Sequence, residues 1–197
     1  MNYNIVSGRV EEQEIPINKQ ELALRLKTDV NFENETINEC KIELLKVVDC
    51  KYAYVEVPIE LLENNIVDLG FVKVKSSNLY NNLLGCKSAF VFSVTLGIGV
   101  DRLLAKFNVS SPSKHFITDG ISSAFAESFC DYVDKMIGEN KKTKPRFSPG
   151  YGDLPIEIQP KILTVLSADK TLGITLNESY LMTPVKSITA IMGVIEN

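Results

Sequence analysis

The stretch from Arg146 to Gln159, Arg-Phe-Ser-Pro-Gly-Tyr-Gly-Asp-Leu-Pro-Ile-Glu-Ile-Gln, restricts the fold more than any other part of this chain. Pro149 fixes φ and lacks an N–H, Ser148 is driven extended by the proline after it, and Gly150 and Gly152 permit positive φ. Regular structure is therefore excluded at the front of the stretch. What remains is a rigid, shaped loop that runs into a helix, with Asp153 as the expected N-cap and Pro155 just inside the first turn. Such a loop holds amides and carbonyls at fixed positions, with Arg146 and Tyr151 at its edges. It suits a ligand that needs planar stacking, backbone hydrogen bonds and one carboxylate clamp. From residue chemistry alone, a purely structural Pro/Gly turn suits it equally.

Hydropathy patterning places this loop among alternating helices and strands. An extended piece (Tyr3 to Val10) precedes the acidic run Glu11–Glu14, which reads as a solvated face; Asn18 then caps a helix carrying Leu22, Leu24 and Leu26. A second helix is predicted from about Glu35 to Val48, a strand over Tyr52–Val57, a helical turn over Glu60–Asn64 and a strand over Phe71–Lys75. Ser77-Asn78 can cap a short helix that runs through Leu84 and ends at Gly85. The run Ala89–Leu96 is nearly all apolar, which predicts a strand covered on both faces. Gly97-Ile98-Gly99 and a helix over Val100–Phe107 follow. A dinucleotide-binding reading of that turn fails, because the third glycine and the second strand with its acidic end are missing.

A long helix is predicted over Ser113–Ile137, with a core stripe at Ile117, Ile121, Ala124, Phe125, Phe129, Tyr132 and Met136. Ser123, Glu127, Asp131 and Asp134 share a separate polar side, which reads either as solvated acids or as the border of a ligand cleft. Gly138 ends that helix, and Lys141–Lys144 forms a basic linker. Beyond the loop, a helix over Ile156–Leu166, a turn over Ala168–Leu172 with Gly173 as C-cap, and one or two strands within Ser179–Ile195 complete the pattern. The elements alternate without a regular βαβ repeat. The expected fold class is therefore α+β, a bent and mostly antiparallel sheet packed by helices, as one unit over 1–197.

Composition bounds the chemistry. A net charge of −4 and an isoelectric point near 5.2 argue against nucleic acid or an anionic membrane as the main partner. No apolar run approaches the roughly 20 residues that span a bilayer, and the start carries no signal-peptide pattern. Cys40, Cys50, Cys86 and Cys130 are scattered without a Cys-x-x-Cys pair, and with one histidine in the chain a dedicated metal site is not expected. The expectation is a soluble, reduced, cytoplasmic protein. No general base or nucleophile with its partners is evident.

Four segments carry a family resemblance. Arg146-x-x-x-Gly150-Tyr151 resembles the motif of the S-adenosylmethionine-binding activation (reactivation) domain of cobalamin-dependent methionine synthase. Leu176-Asn177-Glu178-Ser179, followed by Pro184-x-x-Ser187, looks like the Leu-Thr-Glu-Ser segment that leads into that domain's last strands. Thr95-Leu96-Gly97 with Val100-Asp101-Arg102, and Gly152-Asp153-Leu154-Pro155, look like stand-alone relatives of the domain. The resemblance covers 85–195 and is thin over 1–80.

The resemblance implies that S-adenosylmethionine is bound and that cobalamin is supplied by a partner protein. That partner would be a corrinoid-binding methionine synthase or a related corrinoid methyltransferase, served by a flavodoxin-type reductant. Arg146 would clamp the methionine carboxylate, the backbone around Ser148, Pro149 and Gly150 would read the adenine, and Tyr151 would pack beside it. Glu127 would offer an anion to the amino group or sulfonium. Glu139 falls one position from a second acidic ligand contact of the family, and Glu178 belongs to the second motif. The family's domain also continues past its last apolar strand into an aromatic ligand contact, for which this sequence offers no match. The resemblance therefore leaves two functions open: a reactivation module that supports reductive methylation of cobalamin, or a non-catalytic docking or chaperone module that no longer binds S-adenosylmethionine.

Overall fold

In the computed structural model, which describes residues 3–30 and 34–195, the apolar run at Ala89–Leu96 lies in the middle of a five-stranded antiparallel sheet. The order is β1 (Val6–Arg9), β2 (Lys51–Pro58), β6 (Cys86–Thr95), β10 (Ser187–Ile195) and β7 (Lys142–Thr143). Phe90, Phe92 and Val94 of β6 point into one core, while Ala89 and Val91 point into another on the opposite face. Two buried faces explain why this run lacks polar alternation. Truncating the fully buried Phe92 to alanine would cost about 3–5 kcal/mol. The fold is α+β, with strands from both 1–80 and 85–195 sharing one sheet. A register shift at Val194/Ile195 interrupts the ladder where β10 meets its far edge.

Helices α1 (Lys19–Leu26), α2 (Glu35–Leu45), α4 (Ile98–Ser110) and α5 (Pro112–Gly138) cover the first face. Asn18 caps α1, as predicted, by accepting from the amides of Gln20 and Glu21. The α5 helix starts with Pro112 in its first turn and the Ser111 hydroxyl accepting from Lys114 N–H. Its buried stripe, Ile121, Phe125, Phe129 and Val133, sits in the core, leaving Glu127, Asp131 and Asp134 along the opposite border. Gly97, at φ +80°, makes the sharp turn from β6 into α4, a conformation that side-chain-bearing residues adopt with strain.

The second face is covered by a small sheet of β3 (Glu60–Leu62), β4 (Ile66–Asp68) and β5 (Lys73–Lys75), together with α3 (Ser77–Asn82), α6 (Gln159–Val165) and α7 (Ala168–Thr171). A two-stranded piece, β8 (Thr175–Leu176) with β9 (Met182–Thr183), leads into β10. Of the helical turn expected over Glu60–Asn64, only a 3-10 turn at Glu63–Asn65 forms, and Glu60–Leu62 is instead the first arm of a hairpin. Asn64 and Asn65 adopt left-handed φ values of 60° and 58°, which reverse the chain and pair Leu62 with Ile66.

The helix expected over Ile156–Leu166 begins as a 3-10 turn at Ile156–Ile158. Its α-helical part starts at Gln159, because Pro160 lacks an N–H and fits only in a first turn. Asp153 does not cap that helix. Its carboxylate instead accepts from the amides of Ser77 and Asn78 (2.7 and 3.1 Å) and from the Ser76 hydroxyl, tying the loop to the start of α3. The Ser76 hydroxyl holds the Asp153 carboxyl below the usual carboxylate range, with help from those two amides.

All four cysteines are free and buried, and desolvation pushes the Cys50 thiol up to about 12. Among the described residues, no helix is long and apolar enough to cross a membrane, and no cluster of His, Cys, Asp and Glu could hold a metal ion.

Candidate functional site

The Arg146 loop leaves the sheet at one residue. Phe147 exchanges both backbone hydrogen bonds with Ile191 of β10 (2.8 and 2.9 Å), and the chain then turns away. Within the loop, Tyr151 N–H donates to Ser148 O, Leu154 N–H to Tyr151 O, and Gly150 N–H to Leu154 O. Gly150 sits at φ +87°, as the sequence pattern required. Three of the loop's amides, those of Gly150, Tyr151 and Leu154, are thus consumed by its own turns, and Asp153 N–H donates to Asn78 Oδ1. That leaves side chains and apolar surface, rather than N–H groups of Gly150 or Tyr151, to face outward.

Arg146 lies against the polar border of α5. Its Nη1 donates to Asp131 Oδ1 and Asp134 Oδ2 (2.6 Å each), and its Nη2 donates to Glu127 Oε2 (3.1 Å). The one-side spacing of these acids was legible in the sequence; their convergence on a single guanidinium was not. Burial works against the Arg146 charge, but the hydrogen bonds to Asp134 and Asp131 outweigh that and raise its pKa. Desolvation raises the Asp134 carboxyl, and the Arg146 guanidinium only partly offsets this. Three carboxylates against one guanidinium leave the site net negative. A guanidinium has five N–H donors, so Nε–H and one on Nη2 remain unused by these acids.

A cleft of about 660 Å³ opens beside this cluster. Glu127, Arg146, Ser148, Pro149 and Tyr151 line it, as do Ile156, Gln159, Tyr180, Met182, Ser187, Ile188 and Thr189. Of the residues predicted from sequence, Gly150 shapes the loop without lining the cleft. Glu139 is exposed at the C-terminal end of α5, and Glu178 is exposed on the turn between β8 and β9; neither lines the cleft. Tyr151 is 69% exposed at the mouth.

Sequence reasoning missed the floor. Gln159 is 2% exposed, its Oε1 accepts from Thr189 Oγ1 (3.0 Å), and its Nε2 donates to Met182 Sδ (3.1 Å). The only available signal was a glutamine interrupting the apolar stripe of a short helix.

The far wall is held from outside the cleft. Both Asp101 carboxylate oxygens accept from Val185 N–H (3.1 Å each), and Lys186 Nζ donates to Asp119 Oδ1 and Ser123 Oγ (2.7 and 2.8 Å). Burial raises the Asp101 carboxyl, countered by the Val185 amide and the Lys186 charge. Asp101 therefore fixes the 184–186 wall, while its neighbour Arg102 is exposed on α4.

Antiparallel strands packed by helices on both faces, with a cleft between a Pro/Gly loop and the last strand, define an activation-domain-like α+β fold. One solved structure that shares this fold is the MetH reactivation domain bound to AdoHcy: TM-score 0.71, 14% identity, with 98% of this chain and 78% of that chain covered. The likeness thus extends over 1–80, where the sequence motifs are thin. No protein-family model and no curated protein matches the sequence.

Proposed function

We propose that this chain binds S-adenosylmethionine in the cleft beside Arg146 and acts as a reactivation module for a separate corrinoid-binding methionine synthase or related methyltransferase. The observation that carries the proposal is the fold shared with a domain solved with AdoHcy, combined with an Arg146–Tyr151 loop that borders the main cleft. S-adenosylmethionine has a cationic, zwitterionic tail and a flat, apolar base. The cleft offers a net-negative cluster and two spare Arg146 donors at one place, and apolar walls with buried polar groups elsewhere.

Glu127 would face the ammonium or sulfonium, Arg146 the carboxylate, and Ser148, Pro149 and Tyr151 would shape the loop side. A methyl sulfonium carries its own leaving group, so the protein has only to hold and orient it. No side chain need act as a general base. Cobalamin would come from the partner, and a flavodoxin-type protein would supply the electron.

Reconstitution tests this: the chain is added to a methionine synthase that lacks its own reactivation domain, with S-adenosylmethionine and a reductant. Recovery of turnover that depends on both the chain and S-adenosylmethionine is expected. No recovery over the reductant alone would overturn the proposal.

One observation favours the second reading, a docking or chaperone module without a methyl donor. Arg146 is already neutralised by three acids and needs no ligand carboxylate for its burial. Recovery of the partner without any requirement for S-adenosylmethionine would select that reading.

A further inference from the structure

The Arg146 loop is gripped at both of its ends from one short helix, α3. At its entry, Asn82 Nδ2 donates to Pro145 O (3.1 Å), the carbonyl immediately before Arg146. At its exit, the Asp153 carboxylate accepts from the Ser77 and Asn78 amides, and Asp153 N–H donates back to Asn78 Oδ1 (3.2 Å). Asn78 and Asn82 stand one turn apart on α3, so about 6 Å of helix sets the separation of the two grips. Gly152 belongs to the same contact. It sits at φ +55°, and a Cβ there would fall within 2.2 Å of Asn78 Oδ1, so loop and helix meet with no room for a side chain.

Helix α3 is itself held in place. Leu79 and Leu83 are fully buried in the second core. Asn65 Nδ2 donates to Ser77 Oγ (3.0 Å), and Asn65 O accepts from Ser76 N–H. The hairpin turn at Asn64-Asn65, α3 and the loop thus form one continuous set of contacts that ends at the cleft. Asn78, Asn82 and Asp153 do not line the cleft, whereas Arg146, Ser148, Pro149 and Tyr151, between the two grips, do. The grips therefore fix where the loop lies, not what it presents. Small displacements of such groups are costly: about 1 Å can lower a rate on the order of 100-fold.

We infer that α3 is a bracket that sets the width of the cleft, with Asn78, Asn82 and Asp153 as positioning residues acting through the Arg146 loop. The inference rests on the proposed S-adenosylmethionine site for its ligand. It gives the 60–82 segment, where the sequence motifs are thin, a part in that site.

Amide exchange followed by NMR on the full chain reads the loop directly, and titration with S-adenosylmethionine reads the cleft. Asn81→Ala is the control: Asn81 is exposed on the same helix, and its side chain makes no hydrogen bond among the described residues. Asn78→Ala and Asn82→Ala should each speed exchange of the Gly150, Tyr151 and Leu154 amides at least tenfold and weaken S-adenosylmethionine at least fivefold. Exchange in the central strand β6 should stay within about twofold of wild type, because surface bonds open without global unfolding. Asn81→Ala should change none of these. Asp153→Ala should behave like Asn78→Ala. Asp153→Asn keeps an acceptor for the Ser76 hydroxyl and the Asn78 amide, so it should recover most of the lost affinity despite a lowered Tm. Should Asn82→Ala fail to fold, Asn78→Ala, at an exposed position, decides.

Unchanged loop exchange in these variants overturns the inference, whatever the ligand does. Faster loop exchange with wild-type affinity, or affinities that merely follow Tm, overturn it and leave the proposed function standing. Faster loop exchange in a protein whose wild type binds no S-adenosylmethionine supports the bracket and removes the proposed function.

Discussion

Replacing Arg146 by alanine should destabilise the protein, and the loss should shrink in acid. The substitution strands three carboxylates on one border of α5. Their side chains differ in exposure: 20% for Asp134, 37% for Glu127 and 51% for Asp131. Breaking a fully buried ion pair costs about 3–5 kcal/mol, and exposed pairs contribute about 0.2–1 kcal/mol. Asp134 falls between these limits and carries most of the effect, so about 2–3 kcal/mol is expected at pH 7. For a chain of this size that corresponds to a drop in Tm of roughly 4–12 °C.

The pH dependence follows from Asp134. Desolvation already raises its carboxyl in the folded state, and losing Arg146 removes the main opposing influence. A carboxyl raised on folding binds its proton more tightly in the native state. Its penalty is absent below the unfolded value and grows as pH rises through the folded value. The gap between wild type and Arg146→Ala should therefore narrow between pH 7 and pH 5. Differential scanning calorimetry at both values measures it. Equal melting temperatures at pH 7, or a gap that widens in acid, would refute the reasoning.

Arg146→Lys keeps the charge without the planar fork, and its Tm should fall between wild type and alanine by thermal-shift assay. Glu127→Gln removes a charge from the net-negative cluster, so in parallel titrations it should weaken S-adenosylmethionine several-fold more than AdoHcy, which lacks the sulfonium. Asp101→Asn replaces one of the two oxygens that hold Val185 N–H; it should loosen the 184–186 wall and raise the ligand Kd a few-fold, while exposed Arg102→Ala should leave Kd unchanged. Asp153 has a lowered carboxyl, so its stabilisation is present above the unfolded value and is lost as pH falls through the folded one. Asp153→Asn should accordingly lower Tm at pH 7 and lose its difference from wild type near the acid transition.

Local signals carried much of the fold. The uninterrupted apolar run over Ala89–Leu96 gave a strand buried on both faces, and the three-and-four spacing from Ile117 to Met136 gave the long helix with its acidic border. The hairpin at Asn64-Asn65 was missed although two adjacent asparagines are a known signal for left-handed turns. Other features depend on residues far apart in sequence. Asp153 caps a helix some seventy-five residues earlier, a choice made by tertiary packing rather than by its neighbours. The grip of three acids on Arg146 required the sheet order and the point where Phe147 leaves it. Glu139 and Glu178 came from motif position alone, and position in a motif does not specify which way an exposed turn faces.

Isothermal titration of the purified chain with S-adenosylmethionine tests the central claim most directly. Saturable binding with a micromolar Kd, about −8 kcal/mol, is predicted. Absence of any heat or thermal shift up to millimolar ligand would contradict it and leave the docking module as the reading of this fold.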